Sequence, residues 1–220
     1  MISLDPATLD FLTYIKKNNN KSSFELMRPL YEQIWDQWKV FTSWLLEWVK
    51  KIDNKIPESL DHKSCMFRIY RDARFTKWIN PYKTNLWFVV WPDGKKSSYP
   101  SYYLHIESGG SFLAWWVYRL SWPELSSLRY YLSQNWKQYI QIVSEKTFVS
   151  YFWSISGDEL LKAPRWYDVD NPYIDLIKKK QHLFYHNYKD SEILWDDFMT
   201  KLLEGIKVAM PFVHFLSRWY

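Results

Sequence analysis

The chain has a single cysteine, Cys65, and only five glycines in 220 residues. One cysteine cannot close an internal disulfide or build a multi-cysteine zinc site, so nothing asks for an oxidising compartment and the cytoplasm is the expected setting. So few glycines, and no long stretch of Gly, Ser or Pro, leave no candidate for an interdomain linker, and one domain over residues 1–220 is expected. Long apolar runs are missing as well. The longest, 86–91 and 112–118, fall far short of the ~20 residues that cross a bilayer, and the start Met1-Ile2-Ser3-Leu4-Asp5-Pro6 lacks the basic and apolar regions of a secretory signal. A soluble protein with no membrane partner is expected. GxSxG, GxxxxGK[ST], GxGxxG, HExxH, CxxC and EF-hand spacings are all absent. No metal is therefore expected, no cofactor is indicated, and the sequence is silent on oligomeric state.

What is present is core-forming material: 47% hydrophobic against 24% charged residues, with 20% aromatics that include fifteen tryptophans. Apolar residues spaced by three (Leu9, Leu12, Ile15) predict a helix over 7–17, ending at Asn18-Asn19-Asn20. A second, longer stripe from Tyr31 through Trp38, Phe41 and Leu45 to Ile52 predicts an amphipathic helix over 23–53 with Pro29 near its first turn. Aromatic and β-branched content predicts strands over 65–71, 85–91, 101–107 and 111–119, most simply an antiparallel meander, with a further short strand over 182–188. Helices are predicted over 123–133, 135–143, 158–162, 171–180 and 195–216, the last broken or kinked at Pro211. The expected fold class is α+β: an antiparallel sheet packed against long amphipathic helices.

Alternation in the strand over 101–107 places Tyr103, His105 and Glu107 on one face and Tyr102, Leu104 and Ile106 on the other. A histidine beside a carboxylate can serve as acid and base, ligate a metal if a third ligand such as Asp72 joins it, hold an anion, or simply form a hydrogen-bonded sheet pair. Between Lys63 and Tyr99 eight basic residues (Lys63, Arg68, Arg71, Arg74, Lys77, Lys83, Lys95, Lys96) stand against only Asp72 and Asp93. That excess suits an anionic partner, whether a phosphate-bearing small molecule, a nucleic acid or an acidic protein, and suits a solvated sheet face equally. Arg68, Arg71 and Arg74 with Lys77 and Lys83, flanked by Tyr70 and Tyr82, form the leading candidate for an anion site; the competing reading makes the arginines internal ion-pair staples. Cys65, His182, His186 and His214 read as packing or surface residues.

Several ordered blocks resemble the DUF2461 family of conserved hypothetical proteins: Asn18-Asn19-Asn20, Phe67 to Phe75, Pro81-Tyr82-Lys83-Thr84, Tyr102 to Glu107 with Ser111-Phe112, Leu161-Lys162-Ala163-Pro164-Arg165, and Asn171-Pro172 with Asp175-Leu176. The resemblance spans nearly the whole chain and implies one cytoplasmic α+β domain without supplying an activity. The chain departs from the family pattern where that pattern usually carries glycine, at Trp87, Trp115, Trp116 and Trp166, and where it carries aspartate, at Trp78. These tryptophans would line or fill the family's polar cleft, through natural divergence or through engineering toward a hydrophobic or planar ligand.

The combined expectation is a ligand-binding domain for an anionic or planar aromatic small molecule. Arg68, Tyr70, Arg71, Arg74, Lys77, Tyr82, Lys83, Tyr103 and Arg165 would receive the ligand, and Trp78, Trp87, Trp115, Trp116 and Trp166 would form an apolar wall. The alternative is an enzyme acting on a phosphate ester or nucleic acid with His105 and Glu107 as the catalytic pair. Nucleic-acid binding through basic strands and exposed aromatics is the third reading.

Overall fold

A computed structural model describes residues 3–72, 80–92, 101–117, 120–152 and 157–219. Helix α1 (Pro6–Lys17) opens on Asp5, whose carboxylate accepts the Ala7 N–H at 2.8 Å. Helix α2 (Lys21–Ile52) opens on Asn20, which accepts the Ser23 N–H at 2.9 Å. This cap places Pro29 inside the helix rather than in its first turn. Pro29 is exposed, so the Glu25 carbonyl that loses its helical donor there can turn to water.

The short α3 (His62–Cys65) leads into an extended segment, and β1 (Leu86–Val90), β2 (Ser101–Ile106) and β3 (Ser111–Val117) form an antiparallel meander. After α4 (Trp122–Val143), α5 (Lys146–Phe152) and α6 (Ile174–Lys178), strand β4 (His182–Tyr188) adds to the far edge of β3, giving the order β1-β2-β3-β4. The short α7 (Asp190–Ile193) and α8 (Phe198–Leu216) complete the chain. The architecture is α+β, as the sequence predicts.

Pairing assigns the faces. Leu86, Phe88 and Val90, Tyr102, Leu104 and Ile106, Leu113 and Trp115, and Phe184 and Tyr188 turn to the helices and join Trp38, Phe41, Leu202, Ile206, Phe212 and Phe215 in the main core. The opposite face carries a smaller cluster of Val89, Tyr103 and Ala114 with Phe67, Trp87, Phe112 and Leu183. No described helix is long and apolar enough to cross a membrane.

Several predicted elements differ. Residues 66–71 run beside β1 without forming a strand: Met66 bridges Phe88 and Tyr70 bridges Tyr82, while the chain bends at Thr84-Asn85 between the two bridges. Residues 158–162 form no helix, because their backbone bonds to the end of α6 and the chain just after it, with Lys180 N–H donating to the Asp158 carbonyl (2.7 Å) and Leu160 N–H to that of Lys178 (2.9 Å). The helices expected over 123–133 and 135–143 are one, α4, opened by a Ser121/Glu124 capping box and kinked at Asn135 (φ −123°, ψ 19°), whose amide donates to the Tyr131 carbonyl. The helix expected over 171–180 shrinks to α6, and α8 runs through Pro211 without ending.

Candidate functional site

Alternation along β2 turns Tyr103 and His105 to the outer face, and Glu107 follows just past the strand end. There the chain reverses through Gly109 (φ 71°), and the Gly110 N–H closes the turn on the Glu107 carbonyl at 3.0 Å. The three side chains form a line. The Tyr103 hydroxyl lies 3.0 Å from His105 Nδ1, and His105 Nε2 lies 3.1 Å from Glu107 Oε2. The other carboxylate oxygen accepts from Thr84 Oγ1 at 3.1 Å and from Lys16 Nζ of α1 at 3.1 Å.

Proton positions follow from the partners. Burial opposes the charged form of Glu107, but hydrogen bonds from His105, Lys16 and Thr84 outweigh it and hold the carboxyl below its usual range. An ionised carboxylate only accepts, so His105 Nε2 carries the proton and Nδ1 accepts from the Tyr103 hydroxyl. Burial pushes His105 down, against the opposing pull of Glu107, and pushes the Tyr103 phenol up with help from the same carboxylate. At neutral pH the line is therefore phenol, neutral imidazole, carboxylate and ammonium.

Aromatic rings enclose it. Phe112 stacks on His105 with centroids 4.6 Å apart and planes 10° apart, and Trp87 approaches Tyr103 at 6.0 Å and His105 at 6.2 Å. Phe67 packs edge-on against Trp87 at 5.4 Å. Lys83 Nζ sits 5.1 Å from the Trp87 ring centre and 5.6 Å from that of Phe67, and donates to the Arg68 carbonyl. The indole N–H of Trp87 is buried and has no acceptor among the described residues.

The remaining predicted residues divide. Arg71 donates through Nε to the Tyr82 carbonyl (3.1 Å), so it staples backbone. Tyr82 is buried and stacks on Phe24 of α2 at 4.1 Å, its backbone clipped by Asn19, which accepts from the Tyr82 N–H and donates to the Tyr82 carbonyl. Tyr70 packs against the same Phe24 at 5.6 Å. Arg68 is exposed at the edge of the site. Arg74, Lys77 and Trp78 lie outside the described residues. Trp116 pairs with Ser101 and Leu183 in the register, one position beyond Trp115.

Trp115 does not join this wall. It faces the helices, wholly buried, packed against Phe184 (5.3 Å) and Phe152 (4.7 Å), because β3 parity sends it inward while Phe112 and Ala114 go outward. Arg165 and Trp166 are also elsewhere, paired in a loop with the guanidinium 4.7 Å above the indole, and Trp166 is 86% exposed. Trp166 has φ 78°, a left-handed backbone that glycine adopts without strain, which accounts physically for the glycine implied there by the resemblance. Trp166→Gly is expected to raise stability by about 1 kcal/mol, read as an upward shift in the urea midpoint at constant m-value.

Sequence reasoning missed Lys16 of α1, and named Thr84, in the bend before β1, and Asn19, in the turn before α2, only as parts of resemblance blocks without a place in the site. Among the described residues no group of three or more His, Cys, Asp or Glu could hold a metal ion. No curated protein and no solved structure gives a match. The sequence model of DUF2461, described as a conserved hypothetical protein, matches residues 7–215, which include every residue of the line from Lys16 to Glu107, and the chain belongs to that family.

Proposed function

We propose that the outer face of the sheet binds a small planar anionic molecule. The observation that carries this reading is the buried Trp87 N–H: a donor without an acceptor among the described residues, in an aromatic cluster and under the Lys83 ammonium. An oxygen of the ligand would take that N–H, its charge would lie near Lys83 and Arg68, and its ring would pack on Trp87, Phe67 and Phe112. Tyr103, His105 and Glu107 would set the polarity of the floor.

The hydrogen-bond bookkeeping favours binding over catalysis. Both imidazole nitrogens of His105 are engaged by protein groups, and the Tyr103 phenol is pushed away from ionisation, so neither is poised as a free base or nucleophile.

Calorimetric titration with naphthalene-2-carboxylate tests the proposal. Saturable binding is expected, weakened about tenfold in Trp87→Phe, which keeps an aromatic ring and removes the N–H, and by a similar factor in Lys83→Gln. Equal affinity in the parent and both variants would overturn the assignment.

A further inference from the structure

A second polar constellation lies on the opposite side of the sheet, centred on Asp53, the residue that caps the C-terminus of α2. Its carboxylate is completely buried. Oδ2 accepts from the Tyr102 hydroxyl at 2.5 Å, and Oδ1 accepts from the Lys55 N–H at 3.0 Å and faces Nε2 of His214, on α8, at 2.8 Å. A buried carboxylate is costly unless donors surround it, and here three do.

Of the three donor groups, the imidazole is the one that opens onto a cavity. Tyr102 is buried, whereas the His214 side chain is 22% exposed and forms part of the wall of a cleft of about 520 Å³. Because Nε2 is committed to Asp53, the tautomer is fixed and the Nδ1 edge is left for whatever enters.

The cleft is basic. Lys207 of α8 and Arg218, just past its end, line it and form no ion pair with a described carboxylate, while Gln138 and Gln141 of α4 supply amides. The acidic side chain in the lining, Glu145, is held by the first N–H groups of α5: its Oε2 accepts from Thr147 N at 2.7 Å and Phe148 N at 3.2 Å.

We propose that this cleft is a phosphate-binding site, separate from the outer-face site, in which the Arg218 guanidinium and Lys207 donate to the anionic oxygens of a phosphate or phosphate monoester and His214 Nδ1 accepts from its P–OH. A planar guanidinium, a point-charge ammonium and an imidazole locked by a buried carboxylate match the oxygens of a tetrahedral anion. Asp53 acts as a positioning residue, setting which edge of the imidazole the anion meets.

The test is a titration of the full-length, ¹⁵N-histidine-labelled protein with inorganic phosphate, with acetate and chloride as controls at matched ionic strength. A saturable shift of the His214 ring resonances by phosphate is expected at about millimolar concentration, weakened about tenfold in Lys207→Gln and in Arg218→Gln. These two side chains sit on the surface, so their variants should keep the parent melting temperature. Shifts of equal size with acetate or chloride, no shift with phosphate, or an unchanged response in both variants would each overturn the proposal and leave Asp53–His214 as a tie between α2 and α8.

Discussion

Trp115→Ala is expected to lower the unfolding free energy by about 3–5 kcal/mol, the usual cost of truncating a buried tryptophan. Its indole is wholly enclosed by Phe152, Phe184 and Tyr102, and the hole left behind lies in the middle of the contact between sheet and helices, where backbone on both sides resists collapse. The variant separates core from site. Denaturation should show a lower midpoint at the parent m-value, while naphthalene-2-carboxylate affinity of the folded protein stays at the parent level because Trp115 faces away from Trp87 and His105. Lost affinity at unchanged stability would instead place Trp115 on the binding face.

Acid should destabilise the fold by a definite rule. His182 is buried with its Nδ1 3.0 Å from the Tyr139 hydroxyl, and burial, with Lys179 and Arg129 adding to it, pushes its pKa down to about 3 from the usual 6.5. In the unfolded chain the imidazole takes up its proton near 6.5; in the folded protein it does so only near 3. Between those values the unfolded state binds more protons, so stability is complete above 6.5 and falls as pH drops through the window, by about 1.4 kcal/mol per unit, levelling once both states are protonated. His105, also pushed down by burial, adds in the same direction, and Glu107, held low by its hydrogen bonds, adds a loss as pH falls through the carboxylate range. His182→Asn retains a polar partner for Tyr139 and removes the titration. Its stability plotted against pH should be flatter than the parent curve between pH 6.5 and about 3; identical slopes would show that His182 is protonated in the folded state.

The helices that the sequence announces most clearly, α1, α2 and α8, are those with a sustained apolar stripe; α1 and α2 add side-chain caps at Asp5 and Asn20. Residues 66–71 mislead because the same aromatic and β-branched content serves a full ladder or two isolated bridges, and only the bend at Thr84-Asn85 decides between them. Residues 158–162 mislead because their backbone partners at 178–180 are chosen by tertiary packing, which a local pattern does not contain. In the site, Tyr103, His105 and Glu107 were legible because the strand period alone aligns them. Lys16, 91 residues away from Glu107 along the chain, was not. The split between Trp87 and Trp115 turns on register, since a shift of one position exchanges the faces of a strand. Asp53 hides for another reason: a capping aspartate at a helix end looks exposed until the helix is seen to finish beneath Tyr102 and His214.

The pairing of β3 with β4, from Ser111 opposite Tyr188 to Val117 opposite His182, also orders events in time. The hairpins β1–β2 and β2–β3 close over short stretches, but β4 can dock only after residues 118–181 have been drawn into a loop, and the entropy of that closure precedes any reward. Until then β3 offers an open edge of backbone N–H and C=O groups, and Trp115 lacks its neighbour Phe184. On a ribosome, which releases the chain from its N-terminus, that edge stays uncovered until His182–Tyr188 emerges, so the vulnerable species in the life of this protein is a nascent chain that has made β3 and still awaits β4.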